Sequence, residues 1–238
     1  MKKSLLLIVI SMLAAASAFR AAAEVHMCPL FTDNMVFQQK SQAPVWGTAD
    51  PGSTVTVKTS WNKAVYTAEV GNDGRWMVKV HTPKAGGPYT MTITESGSEP
   101  LTISNILIGE VWLCSGQSNM EQPVSGSWCP VRNHEQEVKD ANYPKIRLLG
   151  VQRTTATVPK DDFATYGDGW QECAPERIPE FSATAYFVGR ELFLEMGVPV
   201  GLIHSSWGGT VIEAWMTKDA LAGIKDLAEM AEEVATWP

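Results

Sequence analysis

Between residues 24 and 104, apolar and polar residues alternate in short runs. Thr54, Thr56 and Lys58 interleave with Val55 and Val57, so one face of that segment is wet and the other buried, as in a half-buried strand. Seven such segments are predicted, rich in Val, Thr, Tyr and Trp: Met35–Gln39, Pro44–Ala49, Ser53–Thr59, Ala64–Val70, Arg75–Val80, Tyr89–Glu95 and Leu101–Ser104. Turn formers separate them, among them Asp50-Pro51-Gly52, Gly71-Asn72-Asp73-Gly74, Ala85-Gly86-Gly87-Pro88 and Ser96-Gly97-Ser98. This spacing predicts a β-sandwich of roughly 80 residues.

The pattern changes near Asn105. Ile106–Leu113 is an almost continuous apolar run, the signature of a strand covered on both faces. A polar, loop-rich stretch follows, with a helix predicted at Asn133–Ala141 and a second buried strand at Ile146–Val151. Ser182–Met196 carries apolar residues at helical spacing, and Gly197 supplies its C-cap. Val198–His204 reads as a third strand. Thr217 is placed to cap a last helix reaching Ala235, interrupted at Gly223. Strands alternating with helices predict an α/β fold with a doubly wound parallel sheet after the all-β domain. Only about three of its strands are visible.

Residues 1–23 read as an export signal, with Lys2 and Lys3, an apolar run from Leu5 to Ala18 and an Ala-x-Ala site ending at Ala23. That run is shorter than the roughly twenty residues needed to span a bilayer. The expected organisation is therefore a signal at 1–23, a β-sandwich-like domain at 24–104 and the α/β part at 105–238. The expected location is periplasmic or extracellular, with no membrane association once the signal is removed. The net charge of −7 and the lack of long basic runs argue against a nucleic-acid partner. Nine tryptophans suit packed β-structure first and carbohydrate-facing surfaces second. Export makes disulfides possible for Cys28, Cys114, Cys129 and Cys173. Their spacing allows three full pairings and does not choose among them. Cys129 with Cys173 is the first expectation, and Cys114 is expected to be a buried free thiol. The spacings do not resemble a zinc site; no metal or cofactor is invoked, and the Asp161-Asp162 pair is expected to be solvated.

The chemistry concentrates in Gly109-Glu110-Val111-Trp112-Leu113-Cys114-Ser115-Gly116-Gln117-Ser118-Asn119-Met120, where an apolar strand enters a turn of small residues with Ser118 at its tip. Gly116 permits a sharp path that lifts the hydroxyl clear of the sheet. Backbone N–H groups just beyond can bind a developing oxyanion. The Gly-x-Ser-x-Gly elbow is not met because Met120 holds its last position, which disfavours an ordinary α/β-hydrolase fold.

Trp112 to Glu121 resembles the first block of the sialate O-acetylesterases, carbohydrate esterases of the wider SGNH, or GDSL-like, group. Gly201-Leu202-Ile203-His204-Ser205-Ser206-Trp207-Gly208-Gly209-Thr210, with Glu213-Ala214-Trp215, resembles the next signature. Leu30 to Gln39 and Val45-Trp46-Gly47 resemble the amino-terminal β-domain of that family. The resemblance implies a three-layer SGNH-type sheet, here incomplete. It implies that Ser118 is the nucleophile, that the amides of Ser118 and Gly209 form the oxyanion hole, and that Gln117 and Asn119 meet substrate. Choosing Gly209 over Gly208 stays open at this point. The implied partner is O-acetylated sialic acid or another acetylated glycan; the oligomeric state is not implied.

The family's later Asn block and Asp-x-x-His block have no counterpart. None of His26, His81, His134 and His204 has an Asp three residues before it. His204 is expected to position the glycine loop, and Glu213 and Trp215 to fix it. A general base contributes about 10²–10⁴-fold and an oxyanion donor about 10²–10³-fold. The chain by itself is therefore expected to be a very weak esterase or inactive. Two other functions stay open: an acetyl esterase on xylan or another plant glycan, and a non-catalytic glycan-binding protein.

Overall fold

In a computed structural model, residues 25–234 and Thr236 are described, except Ser127. The export segment expected at 1–23 lies outside them. Eleven strands are present among the described residues: β1 (His26–Met27), β2 (Val36–Gln38), β3 (Gln42–Thr48), β4 (Thr54–Thr59), β5 (Val65–Glu69), β6 (Arg75–His81), β7 (Gly86–Glu95), β8 (Leu101–Gly116), β9 (Tyr143–Val151), β10 (Thr165–Cys173) and β11 (Val200–Ser206). β1, β3 and β6 form one antiparallel sheet. The larger sheet has the order β10-β9-β11-β8-β7-β4-β5, with β2 pairing on β8.

The alternation that predicts β4 holds in detail: Val55 and Val57 are buried and Lys58 is exposed. These valines join Val45, Met91, Ile93, Ile106 and Ile108, all fully buried, in a core between the two sheets. Two predicted strands, Leu101–Ser104 and Ile106–Leu113, are one. β8 runs unbroken through Asn105, where the expected domain boundary falls. Asn105 is a kink at φ 54°, a left-handed geometry that Asn tolerates better than most residues. Its amide donates to Asn34 Oδ1 at 2.8 Å and to Glu172 Oε1 at 3.1 Å. The first part of β8 is antiparallel to β7, and the last part is parallel to β11.

The sheet is thus mixed rather than wholly parallel. β8, β11 and β9 are parallel, but the edge strand β10, which strand periodicity missed because Thr165–Trp170 contains Gly167 and Gly169, runs antiparallel to β9. The two faces of β9 are both covered. Ile146 and Leu148 pack with Tyr186 and Leu202 on the side of the helix Ala183–Met196. Leu149 packs with Trp170 and the β-domain core. The second face is therefore closed by the β-domain, where a doubly wound fold would place helices. Beyond Gly109 the expected two-sided burial of β8 also fails: Trp112 is 46% and Leu113 68% exposed.

Helix boundaries follow their predicted caps. Ser182 Oγ accepts from the Ala185 N–H, and Gly197 closes the helix at φ 66°. Thr217 caps Lys218–Ala222; a 3₁₀ turn at Lys225–Leu227 then separates it from the helix Ala228–Val234. All four cysteines are free, so the expected Cys129–Cys173 bridge is absent. Cys173 ends β10 in the interior, whereas Cys129 is on the surface.

Candidate active site

The parallel register of β8 and β11 pairs Gly116 with Ser206, so the turns that follow the two strands lie side by side. Gly116 leaves β8 at φ 142°, open only to glycine at low strain. Gln117 then precedes a single helical turn, Ser118–Glu121. Ser118 is half-buried, and its Oγ lies 3.3 Å from Gln117 Oε1. Its amide opens the helix and has no intrahelical partner. Gln117 and Asn119 flank it and are exposed. The turn is tied down from below: Thr184 Oγ1 donates to the Asn119 carbonyl at 2.8 Å, and Ser182 Oγ approaches Met120 Sδ at 3.5 Å.

The second turn is anchored to the first. The Trp207 N–H donates to the Gly116 carbonyl at 3.0 Å. Thr210 Oγ1 donates to the Trp207 carbonyl at 2.7 Å, and Trp215 Nε1 donates to Thr210 Oγ1 at 2.8 Å. Trp215 therefore fixes the glycine loop, as expected, whereas among the described residues Glu213 enters through its backbone carbonyl, which accepts from Met216. Glu121 completes the link. One carboxylate oxygen accepts the Gly208 N–H and the other accepts Arg153 Nη2. The Gly208 amide is thereby occupied. The Gly209 amide has no partner among the described residues, and Gly209 sits at φ 79°.

His204 does not serve Ser118. Its Nε2 lies 2.7 Å from Ser206 Oγ, its ring bonds the Met120 backbone, and Phe181 meets it edge-on at 5.3 Å. Burial pushes its pKa down; the Glu121 charge opposes this and the Arg153 charge reinforces it. His134 Nδ1 lies 2.7 Å from Ser125 Oγ, and His26 pairs with Asp162 at 2.9 Å. Asp161 pairs with Arg75. The acidic pair is exposed to solvent, as expected, and its two carboxylates also form surface ion pairs with the β-domain. A cavity of about 410 Å³ lies there, lined by Trp46, Trp76, Arg75 and both aspartates, and it does not include Ser118.

The chain is 32% identical over 222 residues to a sialate O-acetylesterase of Pongo abelii and 31% identical over 222 residues to one of Homo sapiens, covering 87% of this chain in each case. The chain belongs to the sialate O-acetylesterase family. It spans 42% of the length of both relatives. A solved carbohydrate acetylesterase from Xanthomonas citri superposes with a TM-score of 0.75 at 32% identity, covering 84% of this chain and 44% of that one. Residues 32–102 match the bacterial Ig domain, in agreement with the sandwich that precedes the α/β part.

Of the residues expected at the site from the sequence, Ser118, Gln117 and Asn119 lie on one turn and Gly209 on its neighbour. The sequence did not reveal the roles of Glu121 and Arg153. The available signal was a single acidic residue three positions after Ser118, in a turn otherwise free of charge.

Proposed function

We propose that Ser118 is the nucleophile of an exported, serine-dependent carbohydrate O-acetylesterase of SGNH type, acting on O-acetyl esters of sialic acid in the periplasm or outside the cell. The observation that carries the reading is the pairing of Gly116 with Ser206, which sets the serine turn beside the glycine loop. Ser118 Oγ attacks the acetyl carbonyl while its proton leaves to a base. The resulting oxyanion is held by the amides of Ser118 and Gly209. Collapse releases the sugar hydroxyl, protonated by the same base, and leaves an acetyl-serine that water hydrolyses to acetate. Gln117 and Asn119 contact the sugar. No step calls for a metal or cofactor. Among the described residues no hydrogen bond joins His26, His81, His134 or His204 to Ser118, so none of them is assigned as the base, and slow turnover at best is expected from these 238 residues.

The solved relative is described more broadly, as a carbohydrate acetylesterase, and a second substrate class, acetylated xylan or another plant glycan, is compatible with that description. Exposing the chain and its Ser118→Ala variant to a fluorophosphonate probe and mapping the adduct by mass tests the nucleophile. The expected result is a slow adduct confined to Ser118 and lost in the variant. Equal labelling of both proteins would overturn the assignment. Acetate release from acetylated sialosides and acetylated xylan, measured on an intact relative, separates the two substrates.

A further inference from the structure

We propose that Glu121 is a positioning residue of the esterase site, one that selects which glycine amide faces the reacting carbonyl. The inference rests on the roles given above to Ser118 and Gly209. Gly208 and Gly209 are consecutive and neither carries a side chain, so the loop alone gives no reason for one N–H rather than the other to face substrate. Glu121 removes the ambiguity. Its carboxylate accepts the Gly208 N–H, a charge-assisted bond of the stronger class. A Cβ on Gly208 would lie 3.0 Å from the same oxygen, so carboxylate and loop are in close contact. With Gly208 held, the next peptide is fixed at φ 79° and its N–H is left without a partner among the described residues.

Arg153 holds the other carboxylate oxygen. The Glu121 side chain is only 15% exposed, whereas Arg153 is 41% exposed, so the guanidinium neutralises a shielded charge from the solvent side. Arg153 opens the connection between β9 and β10, and Asp161 and Asp162 on that same connection pair with Arg75 and His26 of the β-domain. The clamp on the oxyanion loop is thus anchored on a segment that is itself fastened to the Ig-like domain. Glu121 touches no reacting atom; it acts through Gly208.

Glu121→Gln keeps the shape and removes the charge, and it tests the assignment by two independent readouts. In ¹⁵N–¹H spectra of the chain, the Gly208 amide proton is expected well downfield and should move upfield in the variant, with a lower heteronuclear NOE at Gly209. In acetate-release assays, kcat should fall about 10–100-fold, the cost of misplacing a group near the reacting centre, while KM stays within about twofold. Arg153→Gln, which leaves the carboxylate in place, should give a smaller loss. Circular dichroism confirms that each variant is folded. An unmoved Gly208 resonance or an unchanged Gly209 NOE overturns the clamp, as does a variant with wild-type kcat. Absence of acetate release from the wild-type chain bears instead on the esterase reading, and the two spectroscopic measurements then decide the clamp alone.

Discussion

His204 Nε2 lies 2.7 Å from Ser206 Oγ, two residues along the same strand, and the ring also bonds the Met120 backbone. A neutral imidazole meets both demands, donating one N–H to the carbonyl and accepting the serine hydroxyl on the other nitrogen. Burial is the main reason its pKa is lowered. The unfolded chain takes up this proton near pH 6.5, and the folded chain resists it. The stabilisation is therefore fully present above about pH 6.5 and is lost as pH falls from there toward the folded value. Urea midpoints at pH 7 and pH 5.5 should drop more for the wild type than for His204→Gln. Identical pH dependence in the two proteins would refute the neutral ring.

Arg147 is a buried charge with several partners, its side chain only 3% exposed. It donates to the carbonyls of Pro144, Asn34 and Asn105, to Asn105 Oδ1, and to Glu172 at 3.2 Å. It therefore joins β9 to the kink in β8 and to the segment before β2. Arg147→Ala should cost about 2–3 kcal/mol in denaturant unfolding, because it orphans several buried acceptors. Glu172→Gln should cost much less, since Glu172 is 44% exposed. Equal losses from the two changes would contradict this division.

The thiols should react in a set order. Burial pushes the Cys114 pKa up to about 11 and that of Cys173 to about 12, and it raises that of Cys28. Only Cys129 is on the surface. A maleimide at pH 7 should modify Cys129 promptly and the other three only on unfolding. Detection of a Cys129–Cys173 peptide in a non-reducing digest would show that the free thiols are wrong.

Adjacent glycines should respond to alanine for different reasons. At Gly209 a Cβ meets nothing within 4 Å, so the penalty is the strain of φ 79°, about 1 kcal/mol or somewhat more. At Gly208 the Cβ would press on Glu121 and loosen its hold on the loop. Gly208→Ala should therefore shift the Glu121 side-chain resonances, and Gly209→Ala should leave them in place. The reverse pattern would mean that the loop is held by something other than Glu121.

Much of this architecture was legible in the sequence because its determinants are local. Val55 and Val57 alternate with polar residues, Ser182 and Gly197 bracket a helix by known capping chemistry, and Ser118 follows a glycine that permits the turn. The errors have separate causes. Leu101–Ser104 and Ile106–Leu113 read as two strands because their composition changes at Asn105, yet hydrogen-bond partners differ along one continuous β8. β10 escaped notice because its glycines hide the period of two. The cysteine pairing failed because loop composition says nothing about which Cβ atoms meet.

The sequence by itself determined the β-domain, the strand-then-helix order that follows it and the two small-residue turns to which the proposed chemistry is assigned, since periodicity, caps and small-residue turns act within a few residues. Only the tertiary structure decided that Gly116 would stand beside Ser206, that Glu121 would claim the amide of Gly208 and leave that of Gly209 free, and that His204 would be occupied by Ser206. Those outcomes depend on pairing between residues up to 90 positions apart, where register and burial, rather than local preference, choose which polar group meets which.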